Sequence, residues 1–235
     1  FKVLSLEGLG LGDYENGMIA CGCVLQYLYK TQKNDLSHLT KLTPYTTGQF
    51  MVIDTSTRRN LELVETLREK QKRGTLLWVL DRTKTAMGAR MLRTFIEQPL
   101  ISAAEIERRQ AAIEELNMNF ISREEIREYL NSIYDLERLI GRISYKTANP
   151  RDLLAFKNSL SMLPYIKNLL GEFSGSLLKE LYDDLDELSD LFDLIGRSIV
   201  EEPPITVREG NIIKDGYNEE VDKYRKAKTE GKSWL

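Results

Sequence analysis

Between Asp54 and Leu100 the chain alternates helix-capping residues with apolar helical faces several times over. Neither one long helix nor a set of alternating strands fits that pattern, so this part must fold as short helices packed on one another. Thr57 or Ser56 is placed to cap a helix reaching about Lys72, with Gly74 as its stop. Thr75 opens a short helix through Leu80, and Thr85 opens another through Glu97, ended by Pro99. The device recurs downstream. Ser102 and Glu105 form a capping box for a helix to about Asn117, and Ser122 with Glu125 forms a second box. Asn149 precedes Pro150, a cap followed by proline at the first helical position, for a helix running toward Leu170 and kinked at Pro164. Earlier, Asn16 is placed to cap a helix to about Lys30, with Met18, Cys21, Leu25 and Leu28 on its apolar face.

The segment after Ser176 carries the clearest period. Leu178, Leu181, Leu185, Leu188, Phe192 and Ile195 follow steps of three and four, which predicts one apolar seam on one helix face with the acids opposite. The seam is too short for a free coiled coil and calls for partner helices in a bundle. Phe50–Ile53 reads as a short strand, and Ile205–Ile213 as a small hairpin turning at Gly210-Asn211, after Pro203-Pro204. From Asn218, Val221, Tyr224 and Arg225 begin a further helix. The expected fold is mainly α, a multi-helix bundle with a short strand near 50–53 and a small β-hairpin near 205–213.

At 235 residues, 42% hydrophobic and 29% charged, the chain can bury a real core and shows no disorder bias. No apolar run approaches a membrane span. It starts at Phe1 inside an apolar run, without an initiator Met, and ends at Trp234-Leu235 inside an amphipathic pattern, so it reads as a piece of a longer protein. The net charge of −3 gives no general pull toward nucleic acid. The charges are nevertheless sorted. Arg68, Lys70, Lys72, Arg73, Arg82, Lys84, Arg90 and Arg93 form a basic stretch interrupted only by Glu69 and Asp81, whereas 172–202 is acidic and would repel phosphate. The first seven of these cations are candidate phosphate or interdomain contacts. Trp78 is their one interleaved aromatic, which favours a solvated or interdomain face over a nucleic-acid groove. Asp81, Thr83, Thr85 and Arg90 suit local capping and hydrogen bonding first, and a docking surface second.

Nothing in the sequence assembles an active site. Gly231-Lys232-Ser233 has the ending of a phosphate loop, but position 226 is Lys where that loop needs Gly, and a helix precedes it instead of a strand. Gly8, Gly10 and Gly12 lack the third glycine of a dinucleotide fingerprint, since position 13 is Asp. His38 is the one histidine, and Cys21 and Cys23 lack the companions a metal set requires. The two thiols read as small buried side chains in a reducing compartment. Acidic pairs such as Asp183 and Asp184 sit on a polar helix face and need no catalytic explanation.

Several words of the chain, in order, resemble the core, or lever, region of the MutS family of DNA mismatch-repair ATPases. They are Asp54-x-x-Thr57-x-x-Asn60-Leu61-Glu62-Leu63, then Gly74-Thr75-Leu76-Leu77 with Leu80-Asp81-x-Thr83-x-Thr85-x-Met87-Gly88-x-Arg90, then Gln98-Pro99-Leu100. Asp135-Leu136-Glu137-Arg138-Leu139, Asn149-Pro150-Arg151-Asp152-Leu153 and Asp215-Gly216-Tyr217-Asn218-x-Glu220-x-Asp222 continue the likeness. The stretch from Ala20 to Lys33 resembles the helix that closes the family's connector domain. The resemblance implies three parts: residues 1–45 a connector remnant and linker, 46–202 the helical core, and 203–235 the hairpin and start of the lever helix leading to a clamp. It implies a non-catalytic core piece of a bacterial, cytoplasmic, nucleoid-associated protein that is a homodimer. That protein would bind mismatched double-stranded DNA, use ATP and Mg²⁺ in parts outside this chain, and work with mismatch-repair partner proteins. The alternative is an independent helical interaction module whose acidic seam helix binds a basic partner.

Overall fold

The computed structural model describes residues 14–32, 36, 39 and 47–231, and the chain divides into two compact units, Phe1–Val52 and Ile53–Leu235. The Gly8–Gly12 loop, His38 and Lys232–Leu235 lie outside the described residues.

In the first unit, α1 runs Glu15–Gln32, with Glu15 in its first turn and Lys30 in its last, both complementing the helix dipole. Tyr14 accepts the first backbone hydrogen bond, from Met18, so Asn16 lies inside the helix instead of capping it. Both cysteines are free; Cys21 is half-buried but Cys23 is exposed, which corrects the expectation of two buried thiols. A 3₁₀ turn follows at Thr47–Gln49, and Phe50 is a lone bridge position, so no strand extends through 50–53.

The second unit is helical throughout, as the capping pattern requires. Its helices are α2 (Thr55–Asn60), α3 (Leu76–Leu80), α4 (Ala86–Glu97), α5 (Ala103–Met118), α6 (Phe120–Asn131) and α7 (Leu136–Ser144). After them come α8 (Pro150–Leu160), α9 (Leu163–Leu170), α10 (Ser176–Asp184), α11 (Ser189–Ser198) and α12 (Glu219–Glu230). Thr75, Thr85, Ser102, Asn149 and Asn218 each accept a backbone N–H at the expected N-terminus. Asn149 and Asp152 complete a reciprocal capping box around Pro150.

Several boundaries differ from expectation. The first cap of this unit is Asp54, not Ser56 or Thr57, and α2 stops at Asn60. Residues 61–74 fold back so that Leu63 and Val64 are buried with Leu77, with Leu77 N–H donating to Leu63 O at 2.9 Å. Burial of that pair outweighs the helical period there, and Glu62, Lys70 and Gly74 take positive φ to make the turns. The Ser122 box does not form, because α6 has already begun at Phe120, and Ser122 donates to Glu172 instead. The helix from Asn149 does not reach Leu170: it ends at Leu160, and α9 restarts with Pro164 in its first turn. The seam from Leu178 to Ile195 breaks into α10 and α11. Asp186 Oδ1 takes the Leu188 N–H at 3.0 Å, and Leu188 sits at φ 51°. Short acidic side chains compete with the helix for its own amides, and Asp183, Asp184, Asp186 and Glu187 crowd this stretch. The hairpin is absent as well: Val207–Glu209 is a 3₁₀ turn, and Ile213 pairs with Ile199 in an isolated antiparallel bridge.

Three apolar clusters hold the unit. The first gathers Leu139, Phe156, Leu160, Leu163, Ile195 and Ile199. The second gathers Ala112, Ile166, Leu170, Phe173 and Leu178. Ile133 and Leu185 pack against both, so these two clusters form one continuous bundle core. The third, Leu63, Val64 and Leu77 with Ile53, Leu92 and Ile96, is small and shares no residue with the others. Polar groups finish the joints. Buried Ser159 accepts from Tyr134 N–H at 3.0 Å and donates to Ala155 O at 2.9 Å. From α5, Glu115 accepts from Ser174 and Gly175 N–H at 2.7 and 2.9 Å, capping α10 across the bundle.

Candidate functional site

The basic stretch begins in the folded-back loop 61–74 and ends on α4. Its cations do not behave alike. Lys72 forms an ion pair with Asp81, whose other oxygen accepts from Thr83 N–H at 3.1 Å and Thr83 Oγ1 at 2.6 Å. The Lys72 ammonium, then the Thr83 hydroxyl, pull the Asp81 carboxyl from its ordinary 3.8 to about 2. Arg82 is exposed and donates to Asp81 O at 3.0 Å. Arg68, Lys70, Arg73 and Lys84 are exposed and make no ion pair among the described residues.

Arg90 does something different. It stands on α4 and reaches the start of α7, donating Nη1 to Asp135 Oδ2 and Nη2 to Asp135 Oδ1, both at 2.7 Å. Its Nε donates to Glu137 Oε2 at 3.1 Å. A guanidinium fork on a carboxylate fixes direction as well as distance. Asp135 is also the N-cap of α7, so one carboxylate seats the helix and receives the arginine. Arg90 first, then the Arg138 amide, holds the Asp135 carboxyl below the usual carboxylate range, and Arg90 itself is held firmly protonated. Two lesser links run alongside: Arg127 Nη1 donates to Arg82 O at 3.3 Å, and Arg109 lies 3.9 Å over the Phe95 ring. The small third cluster shares no residue with the bundle clusters, and these directional polar contacts link the two.

Local sequence explains how α4 presents Arg90. Thr85 Oγ1 caps the helix at Gly88 N–H, 2.9 Å away, and a Cβ at Gly88 would meet that hydroxyl at 3.0 Å. The glycine lets the cap sit close. Of the seven candidate cations, then, the structure commits Lys72 and Arg90 to ion pairs, ties Arg82 to a backbone carbonyl, and leaves four outward. Asp81 accepts from the Thr83 amide, in keeping with local hydrogen bonding, whereas Arg90 reaches Asp135 at the start of another helix. Asp135 and Glu137 stand in the Asp135–Leu139 word of the sequence but not among its candidate contact residues. No local pattern pointed to them, since Arg90 shares its helix face with Arg93, Thr94 and Glu97.

Asp81, Asp135 and Glu115 all sit below their ordinary values, Glu115 chiefly because it accepts from Ser174 and Gly175 amides. A depressed folded-state value adds stability above the unfolded value and loses it as pH falls through the folded one. Stability should therefore hold flat from about pH 7 to 5 and drop below about pH 4. Urea titrations at stepped pH test this, and Asp81→Asn should remove part of the acid-side drop. A curve level between about pH 5 and 2.5 would contradict the assignment.

Among the described residues no group of three His, Cys, Asp or Glu could hold a metal ion, and Gly231 is the C-cap of α12, following a helix. No helix among the described residues is long and apolar enough to cross a membrane.

Residues 56–231 match the family model described as MutS domain III. The chain is 68% identical over its whole length to the DNA mismatch repair protein MutS of Lachnoclostridium phytofermentans. It is 50% identical over 97% of its length to the protein of that name from Ruminiclostridium cellulolyticum, and 48% identical over all of it to that of Halothermothrix orenii. It spans about a quarter of the length of these curated relatives, 25%, 26% and 26%. The chain therefore belongs to the MutS family, and residues 56–231 are its domain III.

Proposed function

We propose that this chain is the structural core of a DNA mismatch-recognition protein, and that it carries motion between a DNA-gripping part and an ATPase part outside it. The observation that carries this reading is the Arg90 joint. A close-packed bundle deforms little, so it moves as a body. The α2–α4 block is tied to that body at α7 by a fork whose geometry resists rotation. A displacement delivered to one side is passed to the other without being absorbed by soft packing.

On this reading residues 1–45 end a connector domain, 46–202 form the core, and 203–235 lead into a clamp. Mismatched duplex DNA, a second copy of the full-length protein and repair partners are met by the whole protein, in the bacterial cytoplasm at the nucleoid. The chain itself performs no catalysis, and ATP with Mg²⁺ enters no step assigned to its residues. The independent-module alternative loses its seam helix, since Leu178 and Ile195 are buried in different clusters.

Arg90→Met in the full-length protein tests the reading. ATP hydrolysis without DNA should stay within about twofold of the parent, whereas mismatch-dependent, ATP-driven DNA release should fall by about tenfold or more. A conservative Arg90→Lys, which keeps the charge but loses the fork, should fall between. Normal release from a folded Arg90→Met protein would refute the coupling role.

A further inference from the structure

Helix α3 is Leu76-Leu77-Trp78-Val79-Leu80, five apolar residues in a row, yet only Leu77 is buried. Leu76, Val79 and Leu80 are 45%, 56% and 50% exposed, and Trp78 is 47% exposed. A helix apolar all round is normally covered all round. Leu76, Val79 and Leu80 stand at i, i+3 and i+4, which makes a ridge of the kind that packs into the groove of another helix. The cap is unusually firm for so short an element: Thr75, 1% exposed, donates to Lys72 O at 2.6 Å and accepts from Trp78 N–H at 3.1 Å. The ridge is therefore held in place before anything binds to it.

Its rim is cationic. Arg68, Lys70 and Arg73 precede α3, and Arg82 and Lys84 follow it, all exposed and none in an ion pair among the described residues. Of the two acids that interrupt this stretch, Asp81 is engaged by Lys72 and Thr83, and Glu69 leaves the five cations in excess. We propose that the α3 ridge docks an acidic amphipathic helix of a protein partner, with apolar side chains on Leu76, Val79 and Leu80 and carboxylates on the flanking cations. The charge of the rim selects the sign of the partner, and the ridge selects its shape. An apolar centre inside a charged rim is the anatomy of a protein interface. A duplex backbone would engage the cations but offers nothing apolar to cover the three aliphatic side chains, so nucleic acid is the disfavoured occupant. The proposal goes beyond the coupling role and does not depend on the Arg90 joint.

Trp78 supplies the readout. In the 235-residue chain carrying Trp234→Phe, Trp78 is the one remaining tryptophan. The probes are a roughly 18-residue helical peptide with a leucine stripe flanked by glutamates, the same peptide with lysines for glutamates, and a single- and a double-stranded oligonucleotide. The acidic peptide should shift Trp78 emission to the blue in a saturable, salt-sensitive titration. Arg73→Glu and Lys84→Glu, which touch no described ion pair, should each weaken it by about fivefold. Val79→Ser should weaken it while leaving the far-ultraviolet spectrum unchanged. Equal binding of the lysine peptide, a response to an oligonucleotide with the acidic peptide inert, or no response to any probe would each overturn the proposal. None of these outcomes bears on ATP-driven release, so the two readings fail separately.

Discussion

Leu160→Ala is expected to lower the free energy of unfolding by about 4 kcal/mol, toward the upper end of large-to-small core substitutions. Leu160 is 1% exposed at the end of α8. It shares one buried cluster with Leu139 of α7, Phe156 of its own helix, Leu163 of α9, and Ile195 and Ile199 at the end of α11. Walls supplied by four helices cannot all close on the space left behind, so the cavity persists and its lining loses dispersion contacts. Alanine is the best helix former, so propensity does not confound the result. Urea denaturation should show a lower midpoint at an unchanged slope. Leu181→Ala is the control: the expected seam residue is 49% exposed and should cost under about 0.5 kcal/mol. A Leu160→Ala loss below about 1 kcal/mol would mean the first cluster is not the centre of the bundle.

The second large effect is Leu185→Asp, at about 3 kcal/mol or more. Leu185 follows α10 and packs against both bundle clusters, so a carboxylate there enters the junction that makes the core continuous. It would also join Asp183, Asp184, Asp186 and Glu187, while the Lys167 ammonium, 2.6 Å from the Leu185 carbonyl, is already engaged there. Leu185→Ala separates the two causes. Truncation alone should cost about 2 kcal/mol, and the remainder belongs to the charge. If Asp and Ala variants were equally stable at pH 7, the site would be wetter than its packing implies. In the full-length protein Leu185→Asp should loosen the bundle and blunt coupling together with stability, whereas Arg90→Met should blunt coupling far more than stability. That contrast distinguishes a joint from a core.

What could be read ahead of the structure followed from how far each interaction reaches along the chain. Thr75, Thr85, Ser102, Asn149 and Asn218 cap helices through amides two or three residues away, and each was legible where it stands. Ser122 has the same local spelling but is overruled, because Asn119 already marks the elbow between α5 and α6 and Glu172 claims the hydroxyl. The seam spelled one helix, but Asp186 turns the backbone at Leu188. The joint was harder still. Arg90 and Asp135 lie 45 residues apart, and Glu115 lies 59 from Ser174, so no local pattern couples them.

By itself, then, the sequence determined a bundle of short, capped helices of the MutS domain III family with its charges sorted along the chain, since caps, periodicity and composition act over a few residues. The tertiary structure alone decided where the long patterns break, which cations are consumed and which face outward, and which carboxylate receives Arg90. Those outcomes depend on burial and on partners brought together from distant positions, and a buried Leu63 or a bidentate guanidinium outweighs the weak preference of any one residue for continuing its helix.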